Sequence, residues 1–114
     1  MKLKEFIKET TKSGGNFLIR PAIVCKDGFK MSVQGSRTHY CDPREISSYY
    51  NKMEIGYPSQ EEPLLIEYAE QPDLPTDTVY GYVPTDIIDQ VIEKHGGIDI
   101  EKTFKTKKPW KQEK

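Results

Sequence analysis

The sequence has little apolar material: only 35% of its 114 residues are hydrophobic. None of its apolar runs approaches the length of about 20 residues that a membrane helix needs. The first eight residues alternate charged and apolar side chains and contain no apolar core of a secretory signal. Cysteine is also scarce, because Cys25 and Cys41 are the only two, too few for a disulfide framework. These absences predict a cytoplasmic protein with reduced thiols and no membrane contact.

Catalytic motifs are missing as well. The sequence contains no GxSxG, HExxH, EF-hand or dinucleotide-binding pattern. Cys41 and His39 have the residue types of a nucleophile and its base, but no third group is evident to orient them. Cys25, His39, Cys41 and His95 are residue types that bind metals, but no CxxC or HxxxH spacing pairs them. We therefore predict no enzymatic activity, no cofactor and no metal.

What is present is one domain's worth of chain with ample aromatic residues. Seven Tyr, four Phe and one Trp supply large apolar side chains, which disordered chains lack. A chain of this length buries roughly two-thirds of its unfolded surface, enough for one core. We predict a single domain over residues 1–100, followed by a basic, flexible tail over residues 101–114.

Hydrophobic periodicity predicts the elements of that domain. Helices are expected over residues 2–12 and 85–95, with Thr85 as N-cap and His95 near the negative end of the second helix dipole. Strands are expected over 17–25, 29–34, 49–57, 64–69 and 78–83, although a short helix is the alternative for 64–69. Short turns such as Lys26-Asp27-Gly28 favour antiparallel pairing. The predicted fold class is α+β, an antiparallel sheet of four or five strands with two helices packed on one face.

Charge is segregated along the chain although the net charge is only −1. Residues 1–41 have a net charge of +5, residues 42–101 a net charge of −11 and residues 102–114 a net charge of +5. One interpretation is that these segments fold against each other and cancel. The other is that the central carboxylates form a negative surface that attracts a basic partner. The candidate partner-binding residues are Glu54, Glu61, Glu62, Glu67, Glu70, Asp73 and Asp77.

A second candidate site lies in residues 37–45, where cations, an imidazole, a thiol and carboxylates are close in sequence. Arginine binds phosphate and carboxylate groups through two parallel hydrogen bonds. Arg37, His39, Tyr40 and Arg44 are therefore candidate ligands for a small phosphorylated molecule or nucleotide. The alternative is a structural turn at Asp42-Pro43 with an internal ion pair. Direct nucleic-acid binding is not expected, since the acidic bulk of the chain repels phosphates.

Three stretches of sequence, 32–45, 75–84 and 91–97, resemble a family of small proteins of Gram-positive phages, prophages and mobile elements. The likeness covers roughly residues 17–98 and carries over no catalytic residue. It implies a binding protein that inhibits a host factor stoichiometrically. One such class is the anti-CRISPR type, in which an acidic surface blocks a nucleic-acid-binding site of a host nuclease. The further alternative is an accessory phage protein that assembles with its own copies. Fold or family alone establishes neither function.

Overall fold

The computed structural model describes residues 1–12 and 18–105 and shows an α+β fold. Its elements are α1 (Leu3–Lys12), β1 (Ile23–Val24), β2 (Lys30–Gln34), β3 (Lys52–Gly56), a 3-10 helix (Ile66–Tyr68), β4 (Val79–Pro84), α2 (Thr85–Lys94) and α3 (Ile100–Lys105). The four strands form one antiparallel sheet in the order β1-β2-β3-β4. The predicted fold class is confirmed, with four strands, two main helices and an additional short one. Within the described part of the chain, no helix is long and apolar enough to cross a membrane.

Strands β2 and β3 alternate between buried and less buried residues over their first four positions, as the sequence predicts. Met31 and Val33 of β2, and Met53 and Ile55 of β3, are fully buried. They belong to one hydrophobic core with side chains of both main helices and of β4. The remaining members of that core from these elements are Leu3, Phe6, Ile7, Tyr80, Val83, Ile88, Val91 and Ile92. Burial of these apolar faces is the main force that holds the helices on the sheet.

Two kinds of connection join the strands. A tight turn links β1 to β2, where Gly28 adopts a φ of 98° and its N–H donates to the Cys25 carbonyl over 2.9 Å. The connections from β2 to β3, residues 35–51, and from β3 to β4, residues 57–78, are much longer. Long connections within a compact domain often carry function. Both candidate sites lie in these two loops.

Two predicted strands differ from the observed structure. The first is reduced to Ile23–Val24, because the Arg20 side chain is buried and the Arg20 backbone N–H donates to the Gln34 side-chain oxygen rather than to the backbone of a strand. The prediction of a strand over 64–69 is wrong, since Ile66–Tyr68 form a 3-10 helix and Ala69 makes only an isolated bridge to Tyr80. The short helix, the alternative interpretation, is the observed one.

The ends of α2 and the chain terminus also require corrections. Pro84, not Thr85, is the N-cap of α2; the Thr85 hydroxyl donates to the carbonyls of Tyr50 and Asn51 over 3.3 Å each. The first five residues of the predicted tail continue α3, whose Thr103 hydroxyl accepts the Val24 N–H and donates to the Val24 carbonyl. Helix α3 thus covers the free edge of β1. Residues 106–114 of the predicted tail lie outside the described residues.

Candidate functional site

Most of the predicted acidic residues lie in one segment of the β3–β4 connection. We call residues 61–77 the acidic loop. Its exposed carboxylates are Glu61, Glu67, Glu70, Asp73 and Asp77. The sequence contains no Lys, Arg or His between residues 53 and 93. None of these five carboxylates forms an ion pair with another residue of the described ranges, 1–12 and 18–105.

The acidic loop is attached to the sheet along its length. Leu65 inserts into the core and is fully buried. The Glu70 N–H donates to the Val79 carbonyl over 3.0 Å, and Ala69 forms a β-bridge with Tyr80. The Tyr80 hydroxyl donates to the Pro75 carbonyl. These contacts cover the free edge of β4 and give the loop a defined conformation.

A buried imidazole anchors the start of the acidic loop. His95 Nδ1 lies 2.6 Å from Asp27 Oδ2, and His95 Nε2 lies 2.8 Å from Glu62 Oε1. Lys94 Nζ lies 3.0 Å from the other Glu62 oxygen, Oε2. His95 is 5% exposed and its ring stacks on Phe29 with 4.1 Å between centroids. We call Asp27, Glu62, Lys94 and His95 the His95 clamp, which joins the β1–β2 turn, the acidic loop and the end of α2.

Both nitrogens of His95 face carboxylates, which accept hydrogen bonds but do not donate them when ionised. This arrangement favours the ring with two protons and a positive charge. Burial alone would lower the pKa of His95, but the hydrogen bonds and charges of Glu62 and Asp27 raise it overall. Burial would raise the pKa of Glu62, but the Leu64 N–H, His95 and Lys94 lower it. The pKa of Asp27 is lowered by the Phe29 N–H and then by His95.

Two of the predicted acidic residues have other roles. Glu62 is only 1% exposed, so it lies in the His95 clamp and not on the surface. Glu54 lies on β3, where its carboxylate accepts the Tyr40 N–H over 3.0 Å. The His95 clamp was not predicted from the sequence, because His95 was assigned to the helix dipole. Its burial could have been predicted from its spacing: His95 follows Val91 and Ile92 at i+4 and i+3, on the buried stripe of α2.

Negative charges accumulate near two tyrosines at this side of the fold. The pKa of Tyr68 is raised by burial, by the charges of Glu67 and Asp86, and by a hydrogen bond with Glu67. The pKa of Tyr80 is raised by burial and by the charge of Glu61. Asp86 in the first turn of α2 therefore adds to the negative potential of the acidic loop.

The four predicted ligand-binding residues of the β2–β3 connection separate into two pairs. Arg37 and His39 line a cavity with the neighbouring Ser36, whose Oγ lies 2.6 Å from His39 Nδ1. Tyr40 and Arg44 belong instead to an exposed stack, with the Arg44 guanidinium 5.5 Å from the Tyr40 ring centroid. The Tyr82 ring lies on the Tyr40 ring in a tilted arrangement, with 5.9 Å between the two ring centroids. The four side chains therefore do not form one ligand pocket.

The buried thiols are protonated at neutral pH. Burial, with a smaller effect from Asp27, raises the pKa of Cys25 to about 11. Burial also raises the pKa of Cys41, whose Sγ donates to the carbonyls of Ser36 and Pro43 over 3.3 and 3.4 Å. His39 hydrogen-bonds Ser36 rather than this thiol. In residues 1–12 and 18–105, no group of three or more His, Cys, Asp or Glu side chains has an arrangement that could hold a metal ion.

Comparisons of the chain with protein-family models, with curated proteins and with solved structures gave no match.

Proposed function

We propose that the protein binds a basic host protein through the acidic loop and inhibits it by occupying a nucleic-acid-binding surface. The observation that carries the proposal is the row of exposed carboxylates at Glu61, Glu67, Glu70, Asp73 and Asp77, which have no cationic partner in the described ranges. Proteins that bind nucleic acids present lysines and arginines to phosphates. A surface of carboxylates competes for the same cations.

The fixed conformation of the loop supports this function. A partner that binds a preformed loop loses less conformational entropy than one that must order a flexible segment. The bridge from Ala69 to Tyr80 and the hydrogen bond from Glu70 to Val79 hold the carboxylates in place before any partner arrives. Glu62, neutralised inside the His95 clamp, contributes to the anchor rather than to the binding charge.

The class of partner follows from the resemblance to phage and mobile-element proteins. Such proteins act inside a bacterial cell, where a basic nuclease with its guide RNA or another nucleic-acid-binding host factor is the target that the acidic loop fits. Inhibition of this kind requires binding and no catalytic step. Complementary charge steers association and makes its rate sensitive to salt.

The test is capture of partners from a lysate of a Gram-positive host by three immobilised proteins. The first is the natural protein. The second carries Glu67→Lys, Glu70→Lys and Asp73→Lys in the acidic loop. The third is a control with the same change in charge at exposed acids elsewhere, Glu9→Lys, Glu45→Lys and Glu101→Lys.

We expect the natural protein and the control to capture the same basic protein and the acidic-loop variant to lose it. Added nucleic acid should compete for the captured protein, and raising the salt concentration should release it. Equal capture by the acidic-loop variant, or capture that nucleic acid does not affect, would contradict the proposal.

A further inference from the structure

A cavity of about 480 Å³ lies beside the β2–β3 connection. Its lining combines apolar side chains with hydrogen-bonding groups. The apolar lining is Leu18, Ile19 and Ile46, and the polar lining is Ser36, Arg37, Thr38 and His39. Its volume lies within the range of about 300–1,000 Å³ that is typical of small-molecule sites.

A buried positive charge, that of Arg20, is hydrogen-bonded to residues next to the lining of this cavity. Arg20 is 2% exposed, and its guanidinium donates to the Gly35 carbonyl over 2.8 Å and to the Ser47 carbonyl over 3.2 Å. These acceptors are the sequence neighbours of the lining residues Ser36 and Ile46. The remaining acceptors of Arg20 are the hydroxyls of Thr10 and Thr11.

All four acceptors of Arg20 are neutral, so they satisfy its N–H groups without cancelling its charge. Buried charges are normally paired with an opposite charge. Among the described residues, Arg20 forms no ion pair. The pKa of His39 is lowered by burial, raised by the charge of Glu54 and, to a smaller extent, lowered by the charge of Arg20.

The polar side of the cavity offers two donors to an anion. Arg37 is exposed and forms no ion pair with any residue that the structure describes. His39 is neutral at pH 7, because its pKa is lowered chiefly by burial. Its Nδ1 is held by Ser36, whose Oγ also accepts the Thr38 N–H over 3.1 Å. Nε2 is then the ring nitrogen that remains for a ligand.

We infer that this cavity binds a small amphipathic anion, with a carboxylate or phosphate group at Arg37 and His39 and an apolar body against Leu18, Ile19 and Ile46. Arg37 supplies the direct contact to the negative group. Tyr40 and Arg44 take no part, since they lie in the exposed stack. The site is independent of the acidic loop, so either one can fail without the other.

The test uses three probes that share one chain length: hexyl phosphate, hexanoate and 1-hexanol. Calorimetry should show saturable 1:1 binding of at least one of the two anions at concentrations up to about 10 mM. The two anions distinguish a phosphate site from a carboxylate site. Because a charged hydrogen bond is lost, 1-hexanol should bind at least about tenfold more weakly than the better anion.

Arg37→Gln removes the charge at the cavity, and Arg44→Gln is the matched control outside it. We expect Arg37→Gln to weaken binding of the better anion at least about tenfold and Arg44→Gln to change it less than about twofold. In the unsubstituted protein, amide chemical-shift changes on adding the anion should centre on residues 36–39.

Any of three results would overturn the inference. These are no saturable binding of either anion to the folded protein, binding of 1-hexanol as tight as that of the anions, or unchanged binding by Arg37→Gln. Shifts centred on Tyr40 and Tyr82 rather than on residues 36–39 would also place the ligand elsewhere and reject the cavity.

Discussion

The two long connections on either side of β3 are each anchored by a buried cation, but the two cations have different hydrogen-bond acceptors. Residues 35–51 close around Arg20, whose hydrogen-bond acceptors are two carbonyls and two hydroxyls. Residues 57–78 are anchored by His95, whose acceptors are two carboxylates. In the first loop the Arg20 charge has no carboxylate partner among the described residues, whereas in the second the His95 ring is paired with two carboxylates.

This difference determines what each loop presents to its surroundings. The His95 clamp uses Glu62 internally, whereas the other carboxylates of the acidic loop form no ion pair among the described residues and remain for a partner. Neither Arg20 nor Arg37 forms an ion pair among the described residues, so Arg37 remains for an anionic ligand in the cavity. The second anchor depends on pH through its imidazole, while a guanidinium stays protonated at any pH at which proteins fold.

The largest expected effect comes from removing the anchor of the first loop. Arg20→Met deletes four hydrogen bonds, among them the one that the buried guanidinium donates to the Gly35 carbonyl. Unsatisfied buried groups of this kind should lower the free energy of unfolding by about 4 kcal/mol. Urea denaturation followed by circular dichroism measures this loss. A change below about 1 kcal/mol would mean that neutral acceptors do not anchor the loop.

Removing the anchor of the second loop should cost somewhat less. His95→Gln leaves the buried Glu62 carboxylate with Lys94 as its remaining charged partner. We expect a loss of about 3 kcal/mol at pH 6, where the imidazole is charged in the natural protein. The matched control is Lys94→Gln, which removes a half-exposed cation and should cost less than about 1 kcal/mol. Equal losses for the two variants would show that His95 is not the main anchor.

The packing of the first loop can be broken without touching any charge. A Cβ at Gly35 would lie 2.6 Å from the Tyr50 ring, too close for the backbone and ring to remain in place. Gly35→Ala should therefore destabilise the fold by about 2 kcal/mol through overpacking. Gly56→Ala is the control, since its Cβ would meet Ser32 at an ordinary 3.5 Å. Similar urea midpoints for both variants would reject the close packing at Gly35.

The smallest expected effect is the response of the His95 clamp to pH. The folded pKa of His95 lies above 6.5, so its contribution is complete below that pH and is lost as the pH rises through the raised value. The folded pKa values of Asp27 and Glu62 lie below 3.8 and 4.5, so their contributions are complete above these values and are lost as the pH falls through the lowered ones. Stability should therefore fall on both sides of a plateau. The His95→Gln variant should lack the alkaline decline, and a decline of equal size in that variant would assign it to another group.

The sequence predicted those features that depend on local pattern. Three such features are the apolar stripe of α2, the Asp27-Gly28 turn, and the alternation of Met31 and Val33 with polar residues in β2. Each of them specifies its element through residues that are neighbours in the chain. These patterns need no knowledge of distant contacts.

The remaining features depend on tertiary contacts that no local pattern contains. Glu61 and Glu62 are adjacent and chemically identical, yet only Glu62 is buried, because Lys94 and His95, which lie 32 and 33 residues further along the chain, bind it. Arg20 lies among apolar residues that favour a strand. It instead leaves the sheet pattern because Thr10 and Gly35 accept its hydrogen bonds. The acidic loop itself was predicted as a surface, but its anchor was not.

The two histidines of the chain, one in each loop system, allow the central comparison to be tested in one experiment. A ¹H–¹⁵N NMR titration of the imidazole nitrogens, assigned with a His39→Gln variant, reports both rings. We predict that His39 titrates below 6.5 and that His95 titrates above it, because their pKa values are shifted in opposite directions. His95 should also show protons on both ring nitrogens at pH 6. Overlapping titrations, the reverse order, or a ring nitrogen of His95 without a proton at pH 6 would contradict the account.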